Sequence, residues 1–135
     1  MRSHFPLNQK HTELGIIPDP VVPVPVLTAY GYQKFDFLLD TGADCSIMPK
    51  SVAKDLGIKL STLPTMRFCG IEGGGITAHL GKITVKITDT PVEITCAFSS
   101  NEKSPFIIGR KDIFSVFNIE FDNRSKVIRF LRFQP

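Results

Sequence analysis

Apolar residues recur at every second position over much of this chain, the period of a half-buried strand. Phe35, Phe37 and Leu39 share one side of a segment running from residue 33 to residue 39. Ile83, Val85 and Ile87 alternate with Thr84 and Lys86, the turn set Thr88-Asp89-Thr90-Pro91 follows, and Val92, Ile94, Cys96 and Phe98 alternate on the return, which predicts a hairpin. A last hairpin is predicted from residues 117–121 and 127–133 around Asp122-Asn123-Arg124-Ser125. Pro23 and Pro25 lack amide donors, so residues 22–29 read as polyproline-like chain or an edge strand, with a turn at Tyr30-Gly31. The helical period is scarce. Val52 and Leu56 stand four apart before Gly57, predicting one short helix over residues 49–56, and residues 111–116 have room for one or two helical turns. Short strands with little helix predict an all-β protein, a small barrel.

Length and composition limit this picture. At 135 residues and 15.0 kDa the chain is one domain's worth of material. Folding buries roughly two-thirds of the ~22,000 Å² exposed by an unfolded chain of this mass, enough for a core without staples. With 42% hydrophobic and 21% charged residues, wholesale disorder is excluded. The first 20 residues are polar and broken by proline; they read as an extended, flexible N-terminal arm, with the folded domain at 21–135.

Charge and cysteine usage exclude several functions. A net charge of +3 is too weak to argue for nucleic acid, and Arg124, Lys126, Arg129 and Arg132 read as a solvated strand face. Cys45, Cys69 and Cys96 have no metal-ligand or disulfide spacing and read as free thiols, which implies a cytoplasmic protein. His4, His11 and His79 are scattered, so neither a metal nor another cofactor is expected. No apolar run approaches the 18 residues of a membrane span.

Candidate chemistry sits in three segments. Leu38-Leu39-Asp40-Thr41-Gly42-Ala43-Asp44 ends an apolar strand in a carboxylate, followed by a hydroxyl, a glycine and a small residue. An ionised Asp40 there needs donors or a proton-sharing partner. Alone, the tripeptide is equally an Asx-type turn. The second segment holds four glycines at positions 70, 73, 74 and 75, a composition suited to a mobile hairpin tip. The third, Phe106-Ile107-Ile108-Gly109-Arg110, delivers a guanidinium for which Asp44 is the natural bidentate partner.

In this order, the three segments resemble the retropepsin family of retroviral-type aspartic peptidases over residues 22–117. The resemblance implies a small closed acid-protease barrel, active as a homodimer. It implies that Asp40 is the catalytic aspartate, that Thr41 bonds across the dimer interface, and that Gly42 offers its carbonyl to substrate. Ala43, Asp44, Ile107 and the flap residues Gly70, Ile71, Glu72 and Gly73 would contact a bound peptide or protein substrate, and Asp44 would pair with Arg110. Ile47, Ile71, Ile107 and Phe106 are expected to line an apolar cleft. The chemistry needs two carboxylates sharing a proton. The chain has one Asp-Thr-Gly, and Asp89-Thr90 runs into Pro91, so the second carboxylate must be Asp40 of a second copy. In viral relatives the chain termini interleave to form the dimer sheet; here a long, well-patterned terminal hairpin leaves room for another pairing. The competing function is a catalytically silent module kept for dimerisation or peptide capture.

Overall fold

The alternation at residues 92–98 forms half of a long ladder: β8 (Gly75–Val85) pairs antiparallel with β9 (Val92–Ser99) from Val85↔Val92 to Ala78↔Ser99. This computed structural model describes residues 1–69 and 75–133. The other strands are β1 (Arg2–Pro6), β2 (Asn8–Thr12), β3 (Gly15–Asp19), β4 (Val21–Thr28), β5 (Gly31–Leu39), β6 (Ser46–Pro49), β7 (Thr65–Cys69), β10 (Ile107–Ile108), β11 (Phe117–Asp122) and β12 (Val127–Arg132). Seven of the twelve described strands form one sheet in the order β4-β5-β10-β6-β9-β8-β7. Its two parallel contacts, β10 with β5 and β6 with β9, carry the chain past the Asp40 loop.

The class is all-β. The edge strand β4 also touches β8, the strand next to the far edge, at the single register pair Val26↔Val85, beside which the Lys86 N–H donates to the Pro25 carbonyl at 2.9 Å. This sparse contact suits β4, whose prolines cannot sustain a full ladder on both edges. Val22, Val24 and Val26 alternate with those prolines and are fully buried, joined in the core by Phe37, Met48, Val85, Ile94 and Phe98. The Tyr30-Gly31 turn forms as expected: Gly31 takes a φ of +107°, and the Thr28 hydroxyl donates to its carbonyl at 2.6 Å.

Four expectations change. The first 20 residues are extended but not free. β1 pairs with β12, giving a second sheet ordered β1-β12-β11, while β2 and β3 form a separate hairpin. Phe5 packs edge-on against Phe130, and Leu7 is buried in the core; these apolar anchors lie between polar residues, where periodicity over so short a stretch is weak. The helix expected over 49–56 shrinks to α1 (Val52–Asp55), because Ser46–Pro49 is drawn into the sheet as β6. Residues 111–116 form turns rather than a helix, since Asp112 adopts a φ of +66°, which no helix accommodates. The strand read at residues 83–87 is the end of the much longer β8.

Candidate active site

Asp40 is the first residue beyond β5, and the chain is held on both sides as it leaves the sheet. The Leu39 N–H donates to the Pro20 carbonyl at 2.9 Å, and the Asp40 N–H to the Ile108 carbonyl at 3.0 Å. The chain then folds back on the carboxylate: the Gly42 N–H donates to Asp40 Oδ1 at 2.9 Å, and the Ala43 N–H to the Asp40 carbonyl at 3.1 Å. A Cβ on residue 42 would stand 3.3 Å from that same carboxylate oxygen, so glycine leaves the acid room. Asp40 and Ala43 are half-buried, and Thr41, Gly42 and Asp44 are exposed.

The Ile-Ile-Gly-Arg segment staples this loop. The Arg110 N–H donates to the Ala43 carbonyl at 3.0 Å and the Lys111 N–H to the Asp44 carbonyl at 2.9 Å. The guanidinium divides its donors, giving one nitrogen to the Thr41 carbonyl at 2.8 Å and another to Asp44 Oδ1 at 2.6 Å. The expected Asp44–Arg110 pair therefore forms, but it is not bidentate on the carboxylate. With Arg110 44% and Asp44 84% exposed, the pair contributes on the order of 0–1 kcal/mol, and its value is positional. Gly109 is required sterically: a Cβ there would lie 2.4 Å from the Cys45 carbonyl oxygen and 2.9 Å from that of Ala43.

Ile107 is half-buried and pairs with Leu38 on one side and Ile47 on the other. With Ile47, Ile76, Ala78, Ala97 and Pro105 it lines an apolar recess of about 140 Å³. Phe106 does not join this lining. It points to the opposite side of the strand, stacking on Phe35 at 5.6 Å and meeting Phe37 edge-on. Gly70, Ile71, Glu72 and Gly73 lie outside the described residues; β7 and β8 flank them as an antiparallel pair from Thr65↔His79 to Cys69↔Gly75.

Sequence reasoning missed two supporting side chains. Ser46 is fully buried, and its Oγ accepts the Gly109 N–H at 3.2 Å, tying β6 to the staple. Asp112 accepts the Thr95 N–H at 2.8 Å and the Thr95 hydroxyl at 2.7 Å, with Lys82 and Lys111 close by. Burial alone would raise its carboxyl, but these bonds and cations outweigh it and hold the group below the usual range. The available signal was the residue type, because Asp and Asn tolerate positive φ better than most. Cys45 is a packed residue: burial, and then the Asp44 charge, push its thiol up. Among the described residues no cluster of three or more His, Cys, Asp or Glu could hold a metal ion. No helix among them is long and apolar enough to cross a membrane.

The body is all-β, with Asp-Thr-Gly at a strand end braced by Ile-Ile-Gly-Arg. The chain belongs to the aspartyl protease family, whose model matches residues 13–111. Among solved structures it is similar to a retropepsin-like aspartic protease from Rickettsia conorii, with a TM-score of 0.64 and 16% identity over 96% of this chain and 98% of that one. It is also similar to the EIAV protease complexed with the inhibitor HBY-793, with a TM-score of 0.53 and 20% identity over 68% of this chain and 82% of that one. These likenesses establish a retropepsin-like fold. No curated protein sequence matches. The family match leaves out β2 and, with β1, β11 and β12, the whole of the three-stranded sheet.

Proposed function

We propose that the protein is an aspartic endopeptidase that hydrolyses peptide bonds at the interface of a homodimer, each subunit supplying Asp40. The observation that carries this reading is the fixation of the Asp40 loop within one chain. The carboxylate is oriented by the Gly42 N–H, and Arg110 holds the Thr41 carbonyl and Asp44, while the loop's outer residues stay exposed. Two carboxylates brought about 3 Å apart share one proton, the arrangement for which aspartic proteases are the standing example. One Asp40 removes a proton from water as the water oxygen attacks the scissile carbonyl carbon. Asp40 of the partner subunit, carrying the shared proton, protonates the carbonyl oxygen. Collapse of the resulting diol, with proton transfer to the amide nitrogen, breaks the C–N bond and restores the pair.

Thr41 is exposed at the point where two such loops would meet, and its hydroxyl has no partner among the described residues, which supports a bond across the interface. The Gly42 carbonyl, Ala43 and Asp44 would hold the main chain of an extended substrate, with residues 70–73 covering it from the other side. The recess beside Ile47 and Ile107 suits one apolar side chain. The free buried thiols of Cys45 and Cys96 support a reducing, cytoplasmic setting. Peptide-library cleavage at acidic pH, by the wild type and Asp40→Asn, tests the reading. Turnover should fall by about 10²–10⁴-fold in the variant. A wild type that binds a pepstatin-type inhibitor but cleaves nothing would instead identify a silent peptide-binding module.

A further inference from the structure

The second Asp40 must arrive on some surface of the second copy, and the smaller sheet leaves one open beside the catalytic loop. β11 is its outermost strand. Backbone polar groups alternate sides along an antiparallel strand. The Arg132 N–H donates to the Met1 carbonyl at 2.9 Å, so Arg132 faces β1 and its register partner Phe117 faces away from β12. The Phe117 N–H accordingly goes to the Ile113 carbonyl at 2.9 Å. Ile119 and Phe121 point their N–H and C=O groups to that same free side, where no backbone partner meets them among the described residues. Such a row is a template for another strand, and natural edges usually guard it with charge. This one is unguarded: the charged side chains of β11, Glu120 and Asp122, are both turned to Arg129.

Phe117, Ile119 and Phe121 make one face of this edge strand apolar. Phe114 and Phe121 are 44% and 43% exposed. With Phe117, Asn118, Ile119 and Thr41 they line a recess of about 290 Å³. Thr41 adjoins Asp40, so the open edge runs into the catalytic loop itself. The N-terminal strand is not free to interleave with a partner, because β1 is already paired with β12 from Arg2↔Leu131 to Pro6↔Val127.

We infer that two copies join edge to edge through β11, antiparallel about a two-fold axis beside Thr41, merging two three-stranded sheets into one of six in the order β1-β12-β11-β11-β12-β1. The inference rests on the peptidase reading, since only an identical chain brings a second Asp40 to this edge. Antiparallel self-pairing is what a two-fold through a strand edge produces, and it covers Phe114 and Phe121 while satisfying the free groups of Ile119 and Phe121.

The test combines sedimentation with a pepstatin-type inhibitor, amide hydrogen exchange and peptide cleavage. The wild type should sediment as a dimer with the Ile119 and Phe121 amides protected. Phe121→Lys should raise the dimer dissociation constant at least tenfold and expose both amides. Leu131→Lys, on the outer face of the same sheet, should change neither. An active dimer whose Ile119 and Phe121 amides exchange as fast as in Phe121→Lys overturns this interface and leaves the peptidase reading standing. A protected dimer that cleaves no peptide upholds the interface and removes the peptidase. A wild type that stays monomeric with inhibitor overturns the interface.

Discussion

Replacing Gly109 with alanine adds one methyl group at the place where the staple crosses the Asp40 loop. That carbon would stand 2.4 Å from the Cys45 carbonyl oxygen, 2.5 Å from its carbon and 2.9 Å from the Ala43 oxygen. All three atoms are backbone, so no rotamer change relieves the overlap, and the 43–45 segment must move away by about 1 Å to reach ordinary contact. Overpacking of this kind costs about 1–3 kcal/mol. The displacement also stretches two hydrogen bonds, from the Gly109 N–H to Ser46 Oγ at 3.2 Å and from the Arg110 N–H to the Ala43 carbonyl at 3.0 Å. At about 0.5–1.5 kcal/mol each, the expected destabilisation reaches about 2–6 kcal/mol, a large share of the 5–15 kcal/mol typical of a domain. Urea unfolding at neutral pH should show it as a lower midpoint with an unchanged slope. Ser46→Ala, which removes one bond without a clash, serves as the control and should cost less. If Gly109→Ala unfolds within about 1 kcal/mol of the wild type, the loop and the staple are not in the close contact described, and the account of how Asp40 is held fails.

Gly42→Ala should fold almost normally yet lose turnover, because its Cβ would crowd Asp40 Oδ1 at 3.3 Å rather than any backbone atom; a melt beside a cleavage assay checks this. Arg110→Lys should lower stability by no more than about 1 kcal/mol, since both ionic partners are largely exposed, but should lower turnover more than tenfold. One ammonium cannot reach the Thr41 carbonyl and Asp44 in the geometry the guanidinium spans. Asp112→Ala leaves the Thr95 N–H, on a buried residue, without its acceptor and should cost about 1–3 kcal/mol at neutral pH by chemical denaturation. Because folding lowers the Asp112 carboxyl, its contribution is complete above the ordinary carboxylate value of about 3.9 and fades as pH falls through the folded value. The gap between wild type and Asp112→Ala should therefore narrow below about pH 4. Asp122 titrates in the same sense: the Ser125 N–H first, and then Arg129, bring it down to about 2, so what it adds is lost between about pH 4 and pH 2.

What the sequence made legible follows from period and steric demand. Alternation over five to seven residues located β5, β9 and the β11–β12 hairpin, because one buried face leaves no other solution. The Asp-Thr-Gly loop and its arginine stood out through the resemblance of three segments in order to the retropepsin family, since the tripeptide alone is equally an Asx-type turn. β1 was not legible: Phe5 is one apolar residue amid polar neighbours, and its place depends on Phe130, 125 positions away. β6 was hidden for a related reason. Ser46–Pro49 is four residues long, and its strand character comes from pairing with β9 and β10 rather than from its own pattern. The roles of Ser46 and Asp112 depend on long-range partners, which no local pattern encodes.

In the proposed dimer, loop order and association are separable properties, because the bonds of Asp40, Thr41 and Asp44 to Gly42, Ile108 and Arg110 need no second subunit. On that reading Ile108, Gly42 and Arg110 hold the loop within its own subunit, and the proposed association through β11 would serve to bring two such acids together. Substitutions at the β11 edge should then act on the dimer constant while leaving the assembled site intact. Substitutions in the loop or staple should act on turnover while leaving assembly intact. Phe121→Lys should accordingly recover wild-type kcat when its concentration is raised well above its dissociation constant, whereas Arg110→Lys should stay slow at any concentration. If both variants were rescued by concentration, the loop would be ordered by the interface rather than by the staple. The hydrogen bonds of Arg110 to Thr41 and Asp44 would then be a consequence of assembly instead of its precondition.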